Sequence, residues 1–255
     1  MKKLFKFFLN FLPRPLLIKL SYVLIPFFDV FFKGTKHTDP INGKSYRTFL
    51  PYGYGKGRNN ALSPGTLSLE RHRLMWLYLK NETNFFTNNL KVLHMAPEQC
   101  FLKLFKKMKN LKHISADLYS PIVDVKADIL NLPFEDNSFD VVFCNHVLEH
   151  IQDDSKAMNE LFRVMKPNGW GILQIPIRIN EEKTYEDFSI TSAEERKKHF
   201  GQYDHVRWYG RDYFTRLEMA GFTVEQWKVS EHFTKEDIEK YVLSSSEILP
   251  VVRKR

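Results

Sequence analysis

Cysteine is nearly absent from this chain: two occur in 255 residues, Cys100 and Cys144, each inside an apolar stretch. That excludes a disulfide framework and a cysteine-rich zinc site, and it fits a reducing compartment. No metal is expected on this ground. Uninterrupted apolar runs are also lacking. No span reaches 18 uncharged apolar residues, which disfavours a transmembrane helix. A secretory signal is equally unsupported, because Lys6 splits the first apolar region and no small-x-small site follows it. A basic stripe is missing too, although the formal charge is +8. Residues 1–36 hold seven Lys/Arg against one acid, Asp29, and three further positive charges are the terminal Arg253, Lys254 and Arg255. The body between is nearly neutral, so nucleic-acid binding is not expected.

What is present begins with a cationic, aromatic front end. Residues 1–36 contain eight of the 22 phenylalanines. Lys3, Lys6 and Asn10 recur at helical spacing opposite Leu4, Phe5, Phe8, Phe11 and Leu12, the pattern of an amphipathic helix. Pro13 and Pro15 are expected to break it, leaving apolar runs from Leu16 to Ile25 and from Pro26 to Phe32. Such a segment suits the interface of an anionic membrane, with lysines among phosphates and phenylalanines below. Packing on the domain or on a partner is the alternative. Residues 37–66, rich in Gly, Pro, Asn and Ser, read as an extended connector. The remaining 67–255 form the principal domain.

That domain alternates. After a helix in LSLERHRLMWLYLK (67–80), a strand at 91–95 ends in Ala96-Pro97, a helix follows from Gln99 to Met108, and strands fall at 111–116 and 123–129. Phe139 to Asn145 reads as a strand buried on both faces, central in a parallel sheet. Asp153 or Asp154 caps the next helix, whose stripe is Ala157, Met158, Leu161, Phe162 and Met165; Lys166-Pro167-Asn168-Gly169 ends it. A fifth strand spans 170–177. Helix 211–220 and strand 222–229 come later, with a bulge expected at Glu225-Gln226. The closing strand 248–252 carries Pro250, which suits an edge or a bulge. This rhythm gives an open, mainly parallel α/β sheet with its ligand site at the strand carboxyl ends. Those ends carry Ala96-Pro97-Glu98, Asp117, Asp128 and Asn145-His146. Asp117, roughly 20 residues beyond the first exit loop, is placed to accept both hydroxyls of a ribose, or else serves as a turn former.

From Ala127 to Pro176 the sequence holds Asp-x-x-x-Leu-Pro-Phe, the Ser-Phe-Asp-Val-Val strand, the Leu-Glu-His helix start and the Lys-Pro-Asn-Gly-Trp turn in that order. This stretch resembles the core of class I S-adenosylmethionine-dependent methyltransferases of the type 11 group. SLERHR (68–73), APE (96–98) and FGQYDHVRWYG (200–210) extend the likeness to a bacterial subfamily, so that it covers roughly residues 40–255. The resemblance implies a Rossmann-like, seven-stranded, mainly parallel sheet with helices on both faces. It implies S-adenosyl-L-methionine as cofactor, with Asp117 on the ribose, Asp128 on the adenine amino group, Ile129 against the ring, and Asn145 and His146 beneath the methionine part. The family's Gly-x-Gly-x-Gly loop is replaced by Ala96, Pro97, Glu98, Gln99 and Cys100, and the acid on the preceding strand by His94. Ala96 stays small there, and Glu98 offers a partner to the donor's ammonium group.

Methyl transfer is an in-line displacement in which positioning supplies much of the acceleration. A hydroxyl or amine acceptor must also lose a proton, for which His146 and His205 are the candidate bases. Residues 178–204 are expected to form a lid. Beyond them, Arg207 and Tyr209 are candidate contacts for an acceptor carboxylate or phosphate, unless Arg207 and His205 cap the next helix or bind the lid acids Glu181, Glu182, Glu186 and Asp187. Arg71 and His72 are further candidate substrate contacts from the helix at 67–80. The expected activity is methylation of a small-molecule or lipid-linked acceptor by a cytoplasmic protein, peripheral at the inner membrane face. A catalytically silent binding module and a nicotinamide-dependent oxidoreductase are the alternatives; the latter is weakened by the missing Gly-x-Gly-x-x-Gly loop.

Overall fold

The computed structural model describes residues 14–53 and 57–255. The amphipathic helix expected at 1–12 lies outside them. The chain divides into two compact units, residues 1–83 with 229–247, and residues 84–228 with 248–255.

The first unit begins with α1 (Arg14–Phe31), a single helix where two proline-separated runs were expected. Pro15 falls in its first turn, where no intrahelical N–H is required, and Pro26 is carried inside it. Among the described residues no helix is long and apolar enough to cross a membrane. The expected connector contains two small antiparallel pairs, β1 (Lys33–Thr38) with β2 (Ser45–Tyr46), and β3 (Leu50–Tyr52) with β4 (Arg58–Leu62). α2 (Glu70–Asn81) follows. Its fully buried Arg73 gathers this unit by donating to the carbonyls of Ala61, Ser68, Tyr241 and Val242 at 2.7–3.1 Å, with Phe49 stacked 4.7 Å from the guanidinium.

In the second unit, chain order runs β5 (Leu90–Met95), α3 (Gln99–Lys107), β6 (Leu111–Asp117), β7 (Val125–Lys126), β8 (Phe139–Cys144), a 3-10 turn (Leu148–His150), α4 (Asp154–Val164), β9 (Met165–Ile172), β10 (Tyr185–Glu186), α5 (Ala193–Phe200), β11 (Arg207–Trp208), α6 (Asp212–Met219) and β12 (Thr223–Lys228). Helices α7 (Val229–His232) and α8 (Lys235–Tyr241) belong to the first unit, and β13 (Ile248–Arg253) returns to the second. The sheet has seven strands in the order β12-β13-β9-β8-β5-β6-β7. Its pairs from β9 to β7 are parallel, and β13 runs antiparallel to both neighbours. This is the Rossmann-like sheet that the resemblance implied.

Alternation along β5 explains the two covered faces. Leu93 and Met95 join a core with Val142, Cys144, Met158 and Leu161, which brings α4 onto one side, while His94 lies among Phe105 of α3 and Phe143 on the other. Each such aliphatic side chain removed from water contributes about 1.5–3 kcal/mol. β8 is buried on both faces as expected, with Phe139, Val141, Val142, Phe143 and Cys144 all inaccessible. Asp153 caps α4 by accepting the Lys156 N–H.

Four boundaries differ from the sequence reading. The strand expected at 123–129 shrinks to β7, because Asp128 turns back to bridge with Asn131. β9 starts at Met165, so the Lys-Pro-Asn-Gly stretch lies within its span. No bulge interrupts β12, whose six residues pair one-to-one with β13. β13 is an interior strand despite Pro250. Its pairing to β9 begins only at Val251, and Pro250 supplies just its carbonyl, to Leu173 N–H.

The close approach of β8 and β9 depends on Gly171, where an added Cβ would sit 2.3 Å from the Val142 carbonyl oxygen. Gly171→Ala is therefore expected to destabilise the protein by about 1–3 kcal/mol, read from the midpoint of chemical denaturation. An unchanged midpoint would contradict this packing.

Candidate active site at the strand carboxyl ends

The parallel register aligns Met95 with Ala116 on one side and with Cys144 on the other. The residues that follow, Ala96, Asp117 and Asn145, therefore lie along one edge of the sheet. Two of the exits leave the sheet in the left-handed region: Ala96 at φ +44° and His146 at φ +55°. Side chains with a Cβ seldom adopt this conformation, and it persists only where neighbouring structure holds it. Ala96 is fixed by its N–H to Ala116 O (2.8 Å), and His146 by its N–H to Gln174 O (2.7 Å).

A polar network joins these exits. Glu98 Oε2 meets His94 Nε2 at 2.6 Å, and Glu98 Oε1 accepts from Asn145 Nδ2 at 3.0 Å. Asn145 Oδ1 in turn accepts the Gln174 N–H (3.1 Å). His94 Nδ1 lies 3.2 Å from His113 Nε2, deeper in the sheet. β5 thus carries a buried histidine, His94, whose carboxylate partner comes from Glu98, the N-cap of α3. The i, i+4 spacing of His94 and Glu98 was the available signal for this pair. Burial first, and the His94 ring next, push His113 down to about 3, so its ring is neutral at ordinary pH.

Asp117 is a turn former, one of the two roles considered for it. Its Oδ1 accepts the N–H groups of Tyr119 (2.7 Å) and Ser120 (2.6 Å), forming a turn, and its Oδ2 has no hydrogen-bond partner among the described residues. Asp128 is exposed, with Oδ1 on Leu130 N–H (2.9 Å), and Ile129 beside it is buried.

The structure gathers both candidate bases around a residue that sequence reasoning passed over. His146 Nδ1 is 3.1 Å from Oε1 of Glu149, which is 1% exposed. Burial opposes charge on Glu149, but the His146 hydrogen bond and the neighbouring His146 and His150 rings outweigh it and hold the carboxyl below its usual range. The His150 and His205 rings meet edge to face, with centroids 4.7 Å apart, and burial lowers the pKa of His205. Cys144, beneath them, is no nucleophile: burial, then Glu149 and Glu98, drive its thiol pKa well up.

Arg207 and Tyr209 are placed otherwise than as acceptor contacts. Arg207 is buried, and its nitrogens donate to Glu186 Oε2 (2.8 Å), Leu148 O (3.1 Å), Ile151 O and Gln152 O (2.7 Å). It binds a lid acid, as the alternative reading had it. The Tyr209 hydroxyl donates to Asp154 Oδ2 at 2.7 Å, inside the core. Arg71 and His72 lie on α2, in the first unit, where His72 Nδ1 accepts the Leu69 N–H (3.1 Å).

Comparison with known proteins gives this geometry a context. Residues 82–173 match the family model described as a methyltransferase domain. The chain is 42% identical over 66 residues to an uncharacterised protein of Methanocaldococcus jannaschii, a match covering 25% of this chain and 29% of that one. It is 46% identical over 43 residues to the 2-phytyl-1,4-naphtoquinone methyltransferase of Nostoc punctiforme, covering 17% and 19%. To a demethylmenaquinone methyltransferase of Staphylococcus epidermidis it is 47% identical over 45 residues, covering 18% and 19%. The matches thus span less than a third of each relative's length.

The contact of half-buried His113 with buried His94 makes stability depend on pH. His113 titrates near 6.5 when unfolded and at about 3 when folded, beside His94, Lys106 and Asp124. Between those values the unfolded chain binds the extra proton, so stability falls as pH falls from 6.5 toward 3. From pH 7 to pH 5 the loss from this group is about 2 kcal/mol. Urea denaturation across that range should show it, and His113→Gln should flatten the slope; equal slopes in both proteins would contradict the assignment.

Proposed function

We propose that this chain, a member of the methyltransferase-domain family through residues 82–173, transfers the methyl group of S-adenosyl-L-methionine to a small-molecule or lipid-linked acceptor. The observation that carries this reading is the shared sheet edge at Ala96, Asp117 and Asn145, with one oxygen of Asp117 unused. The residues present fit the donor. Asp117 Oδ2 would accept the ribose hydroxyls, Asp128 the adenine amino group, and Ile129 would pack on the ring. The left-handed Ala96 supplies the tight turn that glycine gives elsewhere, so that backbone at Ala96 and Pro97 can approach the methionine part. Glu98, the carboxylate that meets His94 and Asn145 at this edge, is the group we assign to the donor's ammonium. Asn145 and His146 complete the cradle.

The bound donor supplies a sulfonium methyl, an electrophile whose leaving group is a neutral thioether. The protein's contribution is alignment and proton removal. His146 is the base we assign: with Nδ1 on Glu149, its Nε2 accepts the proton from the acceptor's O–H or N–H as the new bond to methyl forms, and buried Glu149 stabilises the resulting imidazolium. His205 stands behind it as part of the same cluster. The segment 178–204, with β10 paired to β11, forms the cover that keeps water from the site.

Two observations favour an apolar, membrane-associated acceptor. Two of the relatives above are named for quinone substrates. α1 also exposes Val23, Phe27, Val30 and Phe31, each more than half accessible, in a segment whose first 36 residues are strongly cationic. In this reading residues 1–36 rest on an anionic membrane surface, at the inner face, and the protein is otherwise cytoplasmic.

Calorimetric titration of the full chain with S-adenosyl-L-methionine should show one site, and Asp117→Ala should weaken it by about 10–100-fold, the loss of a hydrogen bond to a charged group. Undiminished affinity would refute the ribose assignment. For the surface contact, the chain should pellet with phosphatidylglycerol vesicles, and Phe27→Ser with Val30→Ser should release it without changing donor affinity; pelleting that survives the substitutions would exclude this face of α1.

A further inference from the structure

Glu149, His150 and His205 each offer one ligand atom, and the three atoms lie within 4.8 Å of one another, the one such cluster among the described residues. They come from the 3-10 turn and the loop before β11, which are tied by the Val206 N–H to Glu149 O bond (2.9 Å). Glu149 and His205 are each 1% exposed. Glu149 Oε2 and His205 Nδ1 are both buried without a hydrogen-bond partner. One such atom costs about 1–3 kcal/mol, and both of these belong to residues of the one cluster.

Two of these side chains are already oriented through their other atoms. His146 Nδ1 engages Glu149 Oε1 at 3.1 Å, leaving Oε2. His150 Nδ1 is 3.2 Å from Asp204 O and 3.5 Å from Asp204 Oδ2, leaving Nε2. The Asp204 oxygens behind His150 are the kind of outer partner that fixes a ligating histidine in metal sites.

The geometry points to a binding site for one first-row divalent cation, held by Glu149, His150 and His205, with His146 and Asp204 as its outer partners. Two imidazoles and one carboxylate suit Zn²⁺ or a neighbour in that row, whereas Ca²⁺ and Mg²⁺ take oxygen ligands. Contacts of about 2.0–2.2 Å to one ion would draw these side chains inward. Three protein ligands leave open positions for water or for an oxygen of a bound molecule. The sequence expectation of no metal rested on scarce cysteine; this ligand set uses none and draws on two segments that only the fold brings together. The inference stands on these side chains alone and does not require the methyl-transfer reading.

The test uses the full-length protein, stripped by chelation and dialysed, then titrated with Zn²⁺ alone by calorimetry. One equivalent should bind and raise the melting temperature. Glu149→Gln and His205→Asn should each weaken binding by more than about tenfold, with circular dichroism of the metal-free chains reporting their fold. His150→Gln, at the half-buried ligand, should weaken binding likewise and serves if a buried substitution unfolds the chain. Absence of stoichiometric uptake by the unmodified protein, or uptake that every folded variant retains, would overturn the assignment. S-adenosyl-L-methionine titrated into the same samples reports on methyl-donor binding separately.

Discussion

The parallel pairing of β5 with β6 and β8 is the constraint on which the rest depends. Because Met95 is level with both Ala116 and Cys144, the chain must leave three adjacent strands at the same height, and the exits become neighbours. A slip of one residue in β5 would move His94 to the opposite face, away from Phe105 and Phe143, and would separate Glu98 from Asn145. The aromatic packing of one face thus enforces the polar geometry at the sheet edge.

A second anchor fixes the histidine cluster. Asp154, at the start of α4, accepts from Tyr209 and Arg216, and Glu186 of β10 bridges Arg207 and Arg216. Removing one member of such a buried charge group typically costs about 3–5 kcal/mol, because its partner is left uncompensated. Arg207 stands two residues after His205, and its bonds to the carbonyls of Leu148, Ile151 and Gln152 clamp the loop before β11 onto the 3-10 turn that carries Glu149 and His150. The arginine thereby determines where His205 sits.

Much of this was legible from residue order. The apolar run Phe139–Cys144, a cap at Asp153 or Asp154, the α4 stripe and Asp117 at a strand exit follow from local chemistry, and the seven-stranded, mainly parallel sheet follows once the motif order from Ala127 to Pro176 is recognised. The remainder depends on contacts distant in sequence. Nothing local distinguishes an Arg207 that awaits an anion from one enclosed by Glu186 and three carbonyls. Glu149 sits in a Leu-Glu-His turn that reads as an ordinary helix start, and its importance arises from His205, which reaches it across α4, β9 and the lid. Pro250 suggested an edge because proline lacks a donor; in the fold its neighbour on the β9 side needs only the carbonyl.

The central claim is that the exits of β5, β6 and β8 together hold an adenosyl donor. Hydrogen-exchange mass spectrometry of the full chain, with and without S-adenosyl-L-methionine, tests it most directly. The account predicts slowed exchange in peptides covering residues 96–101, 117–120 and 144–147, with little change in β12 and β13. Unchanged exchange at those three exits under donor concentrations that saturate binding, or protection confined to another part of the chain, would contradict it.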